Sequence, residues 1–515
     1  MERTEKQTGW LETIRAYRHP RVVTMLFLGF SAGLPLLLIF STLSLWLREA
    51  DISRTTATYF SWAALGYSFK FVWAPIIDKL PLPWLTQALG RRRAWLLLAQ
   101  ISIIAAILWM AFTDPVHNLT PMALAAVMLG FSSATQDIAI DAYRIESAEQ
   151  RMQALMSSSY IAGYRIGMLV AGAGALKLAA WFGSGDAYDY SAWRDAYIWM
   201  AVAMGVGVIT TLVIAEPGSE RKESKYLNSL MDYLRFLVLF LLAVATLVVA
   251  FNVYAPYFTS LNLILDALLG EHAVTGFISE SLRLLLALVS AGVVAGVAVV
   301  IGVAPKEVLI ETYAEPMADF FRRYGKLALL ILTLVGFYRV SDIVLGVISN
   351  VFYQDMGFTK HQIADITKTF GLLMTIVGGF LGGSLALRYG VMRILFLGAV
   401  LSAATNLLFL LLAQSGPNVP MLVVVIAADN LSAGLASAAF IAYLSGLTNI
   451  SFTAFQYAVF SSLMTLFPKL LGGYSGTIVD SIGYSSFFLI TAALGIPVLL
   501  LVYLAGRYMP PEENS

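Results

Sequence analysis

Apolar stretches long enough to cross a bilayer recur fourteen times between Val22 and Leu504, and charge is confined almost entirely to the gaps between them. A hydrocarbon core of ~30 Å takes about 20 predominantly apolar residues of helix. A backbone in lipid must satisfy its own hydrogen bonds, so each stretch is read as a helix. The expected spans are 22–46, 54–77, 94–113, 120–142, 154–181, 195–215, 231–253, 280–303, 326–350, 361–386, 393–413, 420–446, 452–474 and 483–505. The fold class is therefore an all-α membrane protein.

Composition narrows the chemistry. Charged residues make up 13% of the chain, against about 25% in soluble domains. A net charge of +1 gives no reason to expect a nucleic-acid partner. There is no cysteine, which removes disulfides and thiolate metal sites. The four histidines (His19, His117, His272, His361) fall in or beside predicted loops. No metal, no cofactor and no enzymatic centre is therefore expected: a membrane-embedded transferase would gather acids, histidines or a metal site at one face.

Orientation follows from Lys and Arg in the connections. The N-terminal segment is basic (Arg3, Lys6, Arg15, Arg18, Arg21), and the first span reads as a retained anchor with no cleavage site behind it. Even-numbered gaps carry Lys79 and Arg91 to Arg93, Arg144 and Arg151, Arg221 and Lys222, Lys306 and Arg322, and Arg388. Odd-numbered gaps are poorer in cations. Both termini are thus expected in the cytoplasm. Residues 254–279 read as a moderately apolar segment along the outer surface. Residues 304–325 read as an amphipathic helix lying on lipid at the cytoplasmic face.

The chain contains an echo of itself. "APIIDKLPLPWLTQALGRRR" follows span two, and "GSLALRYGVMR" (Gly383 to Arg393) follows span ten. Each places small residues at a helix end, then a basic cluster beside glycine. Asp78 is positioned to cap a neighbouring helix N-terminus and to pair with arginine. The second copy has Leu387 where the acid would stand. Both copies resemble the cytoplasmic loop signature of the major facilitator superfamily. The resemblance implies two six-helix halves, 22–215 and 326–505, and two extra central helices within a 216–325 linker. It leaves 1–21 and 506–515 as cytoplasmic tails, and implies a cytoplasmic gate built from Asp78, Arg91, Arg92, Arg144 and Arg388.

Span four is more specific. "GFSSATQDIAIDAYRIE" (Gly130 to Glu146), with "FLGFSAGLPLLL" in span one and "FQYAVFSSLM" in span thirteen, resembles the AmpG muropeptide permeases. Acetyl-coenzyme A transporters share part of the pattern. The AmpG resemblance implies a multi-pass protein of the bacterial inner membrane. It implies proton-driven import of anhydromuropeptides for cell-wall recycling. Its partners would be that substrate, protons and lipid, and it would act as a monomer. Alternatives are a coenzyme A ester or another sugar or peptide conjugate.

Ionisable groups deep in a span cost ~2.5–3.5 kcal/mol on insertion scales, and mark cavities or partners. Asp137 lies ~24 Å from the start of span four at 1.5 Å per residue. Asp141 is one turn on, with Arg144 at i+3. Asp137 has no local cation, which makes it the better proton carrier, with Asp141 and Asp429 as further proton-coupling candidates. The alternative for Asp137 is a structural pair with Lys70 or Arg165. Candidate substrate-binding residues are Gln136, Tyr160, Tyr164, Arg165, Arg339, Asp342, Asn430 and Lys70. Arg339 and Asp342 stand at i, i+3 and can satisfy each other. Arg339 is also the expected cross-helix partner of Asp429. Lys368 is expected to pair locally with Asp365. Two deep arginines and a lysine suggest an organic anion, and the 24 tyrosines and 10 tryptophans leave room for sugar stacking.

Overall fold

The computed structural model describes residues 10–53, 60, 67, 69–184, 188–218, 230–269, 272–472 and 475–509. Among these residues the regular structure is helical throughout. A short amphipathic α1 (Trp10–Ala16) precedes α2 (Pro20–Ile39), which continues as Ser41–Glu49. Then come α3 (Arg91–Ala111), α4 (Leu119–Ser147), α5 (Gln153–Leu169) and α6 (Tyr190–Val213). The middle of the chain forms α7 (Leu230–Leu269), α8 (His272–Val300) and α9 (Glu315–Tyr324). The remainder forms α10 (Leu327–Phe337), α11 (Val340–Asp355), α12 (Gly371–Tyr389), α13 (Val391–Ser415), α14 (Val419–Leu447), α15 (Thr453–Gly472), α16 (Ser475–Ala493) and α17 (Gly495–Tyr508).

Twelve helices among the described residues are long and apolar enough to span a membrane. The expected fourteen goes beyond this. Most of 54–77 lies outside the described residues, and α15 offers only a shorter apolar stretch, Ile450–Leu466. The described end of span two is broken into a 3-10 turn, Lys70–Val72, and a short helix, Ala74–Lys79.

The segment 254–279 does not lie along the surface. α7 is 40 residues long, or ~60 Å at 1.5 Å per residue, about twice a hydrocarbon core. It continues through Pro256, and α8 packs back along it. The two pack chiefly on each other, with Arg283 Nε donating to Phe251 O at 2.7 Å and Tyr254 bonded to Ser290 at 2.8 Å. Only 17% of either apolar window is buried, against 61% for the span containing α2. Lipid is the natural solvent for such a surface.

Each bundle has a large core of its own, and a third cluster joins first-bundle residues such as Ala134 and Met156 to Ala454 and Ala458 of the second. One buried cluster holds Leu34 to Met204 at the end of the first bundle remote from the chain termini. A second runs from Phe320 to Ala505. Glycine allows the closest helix approaches. A Cβ added to Gly29 or Gly33 would overlap the backbone oxygens of Tyr160 or Tyr164, and one added to Gly163 or Gly167 would overlap those of Leu26 or Phe30. α2 and α5 thus meet backbone to backbone through paired small-xxx-small stripes. The same device joins α12 to α14, where Gly378 and Gly434 abut Leu431 O and Thr375 O. Gly163→Val is expected to lower the melting temperature of the purified protein by several degrees, since overpacking costs roughly 1–3 kcal/mol. Gly205→Ala, with open space around its Cβ, should leave it unchanged.

Candidate functional site

Both described ends of the chain lie at one face: Trp10 stacks on Arg388 at the end of α12, and Gly506 touches Met392 at the start of α13. At this face the bundles are joined. Asp78 Oδ1 and Oδ2 accept from the backbone N–H groups of Ala454 (3.2 Å) and Phe455 (3.0 Å) in the first turn of α15. Arg92 Nη2 donates to the same Asp78 at 2.7 Å and to Glu146 at 2.7 Å. Arg91 adds a bond to Asp78 O at 2.6 Å. A carboxylate on a helix N-terminus meets both the free donors and the positive end of the dipole. The buried Arg92 holds it there.

Arg144 is the second joint. From α4 it reaches Gln153 (3.1 Å), Ser157 (3.3 Å) and Asp141 (3.3 Å) within its own bundle. It also donates to Ser445 of α14 at 2.6 Å and lies over the Tyr457 ring of α15 at 5.2 Å. A third joint is a close approach of helices. Gly383 of α12 abuts Ser158 and Ala154 of α5, and Tyr17 donates to Phe380 O at 2.9 Å.

The 304–325 segment does not float on lipid. It docks across this face, because its polar side chains find partners on both bundles. Glu311 pairs with Lys79 at 2.9 Å, and Tyr313 donates to Val72 O at 2.9 Å. Gln456 donates to Pro316 O at 2.7 Å, Asn449 reaches Asp319, and Arg323 donates to Leu447 O at 3.1 Å.

Deeper in the first bundle, Lys70 Nζ lies 3.6 Å from Asp141 Oδ2, with both side chains buried. Asp137 lies within the field of Lys70 and Asp141, yet its Oδ1 has no hydrogen-bond partner among the described residues. Gln136 is fully buried and donates to Ser31 O at 3.1 Å, so it sits in the α2–α4 seam. Tyr160 and Tyr164 lie half-buried, ring centroids 5.9 Å apart. Arg165 is also half-buried; its recorded polar contact is Met168 Sδ at 3.9 Å, and among the described residues no acid pairs with it.

In the second bundle, Arg339 stands at a break between α10 and α11. Its Nε is 3.3 Å from Asp342, and Nη1 donates to Ser437 at 2.8 Å. This corrects the expected Arg339–Asp429 pair. The break aims Arg339 along its own chain, one turn from Asp342, while Asp429 accepts from Thr405 at 3.4 Å. Asp342 also accepts from Ser402. Asn430 ties α14 to α12 through Thr375 at 3.0 Å. Arg165 of the first bundle and Arg339 of the second are each half-buried.

Arg388, at the same face, lies over Trp10 (4.9 Å) and Tyr389 (5.4 Å), and its Nε and Nη1 have no hydrogen-bond partner among the described residues. Leu387, in place of an acid, packs into the neighbouring apolar cluster and offers no counter-charge. Lys368 donates to Asn350 at 2.9 Å and not to Asp365, because residues 363–370 wind as a wider π-helix that displaces the i, i+3 neighbour.

Sequence reasoning missed Glu146, Glu216, Gln153 and Tyr17. Glu216 accepts from Arg92 N (2.7 Å) and Arg93 N (3.0 Å), capping α3. An acid just past a span end was the available signal for Glu146 and Glu216. Among the described residues no group of three or more His, Asp or Glu is arranged to hold a metal ion.

Comparison with known proteins agrees with this architecture. The profile of the Major Facilitator Superfamily matches residues 25–353 and 330–515. Putative transporter AmpG 4 of Rickettsia conorii is 30% identical over 491 residues, covering 95% of this chain and 98% of that one. The anhydromuropeptide permease of Escherichia coli K12 is 29% identical, covering 95% and 80%. Among solved structures, the transporter FucP in its outward conformation superposes with a TM-score of 0.60 at 10% identity, covering 96% of this chain and 100% of that one. The proton:xylose symporter XylE gives 0.58 at 11%, covering 96% of each. The chain is thus a multi-pass membrane protein of the major facilitator superfamily, and within it belongs to the AmpG permease family.

Proposed function

We propose that this protein is a proton-coupled importer of anhydromuropeptides in a bacterial inner membrane, working by alternating access with both termini in the cytoplasm. Bundles 22–215 and 326–505 are the rocking bodies, and the substrate site lies between them. The observation that carries the reading is the pair Arg165 and Arg339. They come from different bundles, each is half-buried, and Arg165 has no acid among the described residues to neutralise it. Such a pair suits an anionic ligand, because a guanidinium presents a planar fork to a carboxylate. Peptide and lactyl carboxylates of a muropeptide fit this chemistry, and the relatives named above favour that substrate. Asp137, buried with an unpartnered oxygen, is the proton site.

The face carrying the termini is the closed one. Asp78, Arg92 and Arg144 are its gate, and the docked α9 segment braces it. The opening therefore faces outward, ready to load.

Competition tests the substrate class. GlcNAc-1,6-anhydroMurNAc-tripeptide should displace a labelled anhydromuropeptide from the purified protein, and acetyl-coenzyme A should not. The reverse order would favour the coenzyme A ester reading. Arg165→Ala should raise the apparent Kd for the tripeptide conjugate about tenfold or more, the scale of one lost charged hydrogen bond.

A further inference from the structure

We infer that Lys70 is the residue through which proton binding at Asp137 reaches the contact between the bundles. The inference rests on the proton-coupled reading above.

A chain of buried charges leads from the proton site to the seam. Lys70 belongs to a 3-10 turn on the interrupted part of span two, not to a continuous helix, so its backbone is held by fewer regular bonds. Its ammonium is 3.6 Å from Asp141 and is the charge that opposes burial of a second carboxylate at Asp137. Asp141 is shared with Arg144 at 3.3 Å. Arg144 in turn is shared between Asp141 and the other bundle, through Ser445 and Tyr457. Two cations, Lys70 and Arg144, with Asp141 shared between them, therefore separate the proton site from the opposite bundle.

The division gives a switch. With Asp137 neutral, Lys70 rests on Asp141, and Arg144 is free to hold Ser445. That is the arrangement seen here, where Asp137 Oδ1 accepts no hydrogen bond from the described residues. When Asp137 gives up its proton, two carboxylates one turn apart compete for one ammonium. Lys70 moves toward Asp137, Asp141 draws Arg144 back, and the grip on Ser445 loosens. The remaining titratable groups within the field of Asp137 are Tyr67 of span two, Tyr160 and Tyr164 of α5, and Tyr457 of α15. All are phenols and supply no competing cation. Among the described residues, Lys70 is the cation placed to exchange partners with the acid.

The chain has no cysteine, so one engineered thiol reports the seam cleanly. Ala154 is fully buried where α5 meets Gly383. In Ala154→Cys protein, without substrate, maleimide labelling corrected for intrinsic thiol reactivity should rise severalfold between pH 5.5 and pH 8. Lys70→Gln should flatten that rise, and Lys70→Arg, which keeps the cation, should restore it. Arg144 still neutralises Asp141 in the Gln variant, so folding is expected to survive, and the Arg variant reports the switch independently. A Lys70→Gln protein that keeps the full pH response overturns the inference. If Asp137→Asn abolishes the response while Lys70→Gln does not, the proton site stands and the role given to Lys70 falls.

Discussion

Asp137→Asn is expected to abolish accumulation of substrate against its gradient while sparing exchange of labelled for unlabelled substrate. Asparagine matches the size of the acid and keeps hydrogen-bonding capacity, but cannot bind and release a proton. A gradient of one pH unit is worth about 1.4 kcal/mol per proton, or roughly tenfold accumulation. The variant should show none. Exchange needs only substrate binding and the rocking of loaded carrier, so it should persist within a factor of a few. The split matters, because a misfolded variant would lose both. Asp137 is buried in the seam around Lys70, and replacing it with a neutral isostere removes no counter-ion from Asp141, which keeps Lys70 and Arg144. Uptake and exchange in reconstituted vesicles at matched protein amounts decide the point.

Asp78→Ala is expected to open the closed face. Two effects combine. Loss of the cap on α15 costs about 1 kcal/mol, and it is felt only while the bundles are joined, since Asp78 and Ala454 belong to different bundles. Loss of the pair with the buried Arg92 costs more, about 3–5 kcal/mol for an unrelieved buried charge. Glu146 remains on Arg92 and offsets much of it. The second cost lies within one bundle and lowers overall stability. The first shifts the balance between states by about fivefold or more. Asp78→Asn separates them, because asparagine still accepts at a helix N-terminus but lacks the charge. Both variants should melt at lower temperature. Only Asp78→Ala should also label several times faster at a cysteine placed at position 154.

What the sequence disclosed follows from which interactions are local. Spans are local: each run of apolar residues announces itself, and the α2, α4 and α14 helices lie where hydropathy places them. The Asp141–Arg144 and Arg339–Asp342 pairs are also local, one helical turn apart, and the i, i+3 rule finds them. The cap by Asp78 was readable because the acid closes a span beside a basic loop. Partners across bundles were not readable. Asp429 was matched to Arg339 by charge, but a break in the helix turned Arg339 elsewhere. Residues 304–325 looked like a lipid-surface helix because amphipathicity reports a wet side and a dry side, not what lies against either. Lys70 shows the same limit. Its depth marked it as a substrate ligand or a partner of Asp137, and the fold sets its ammonium against Asp141.

The most direct measurement is uptake of labelled anhydromuropeptide into proteoliposomes holding the purified protein, with the interior made one pH unit more alkaline than the bath. A proton-coupled importer accumulates the label well above its outside concentration, and loses the accumulation when an ionophore collapses the gradient. Uptake that only equilibrates, or that ignores the gradient, would contradict proton coupling. No uptake of anhydromuropeptide by protein that still exchanges another anion would contradict the substrate.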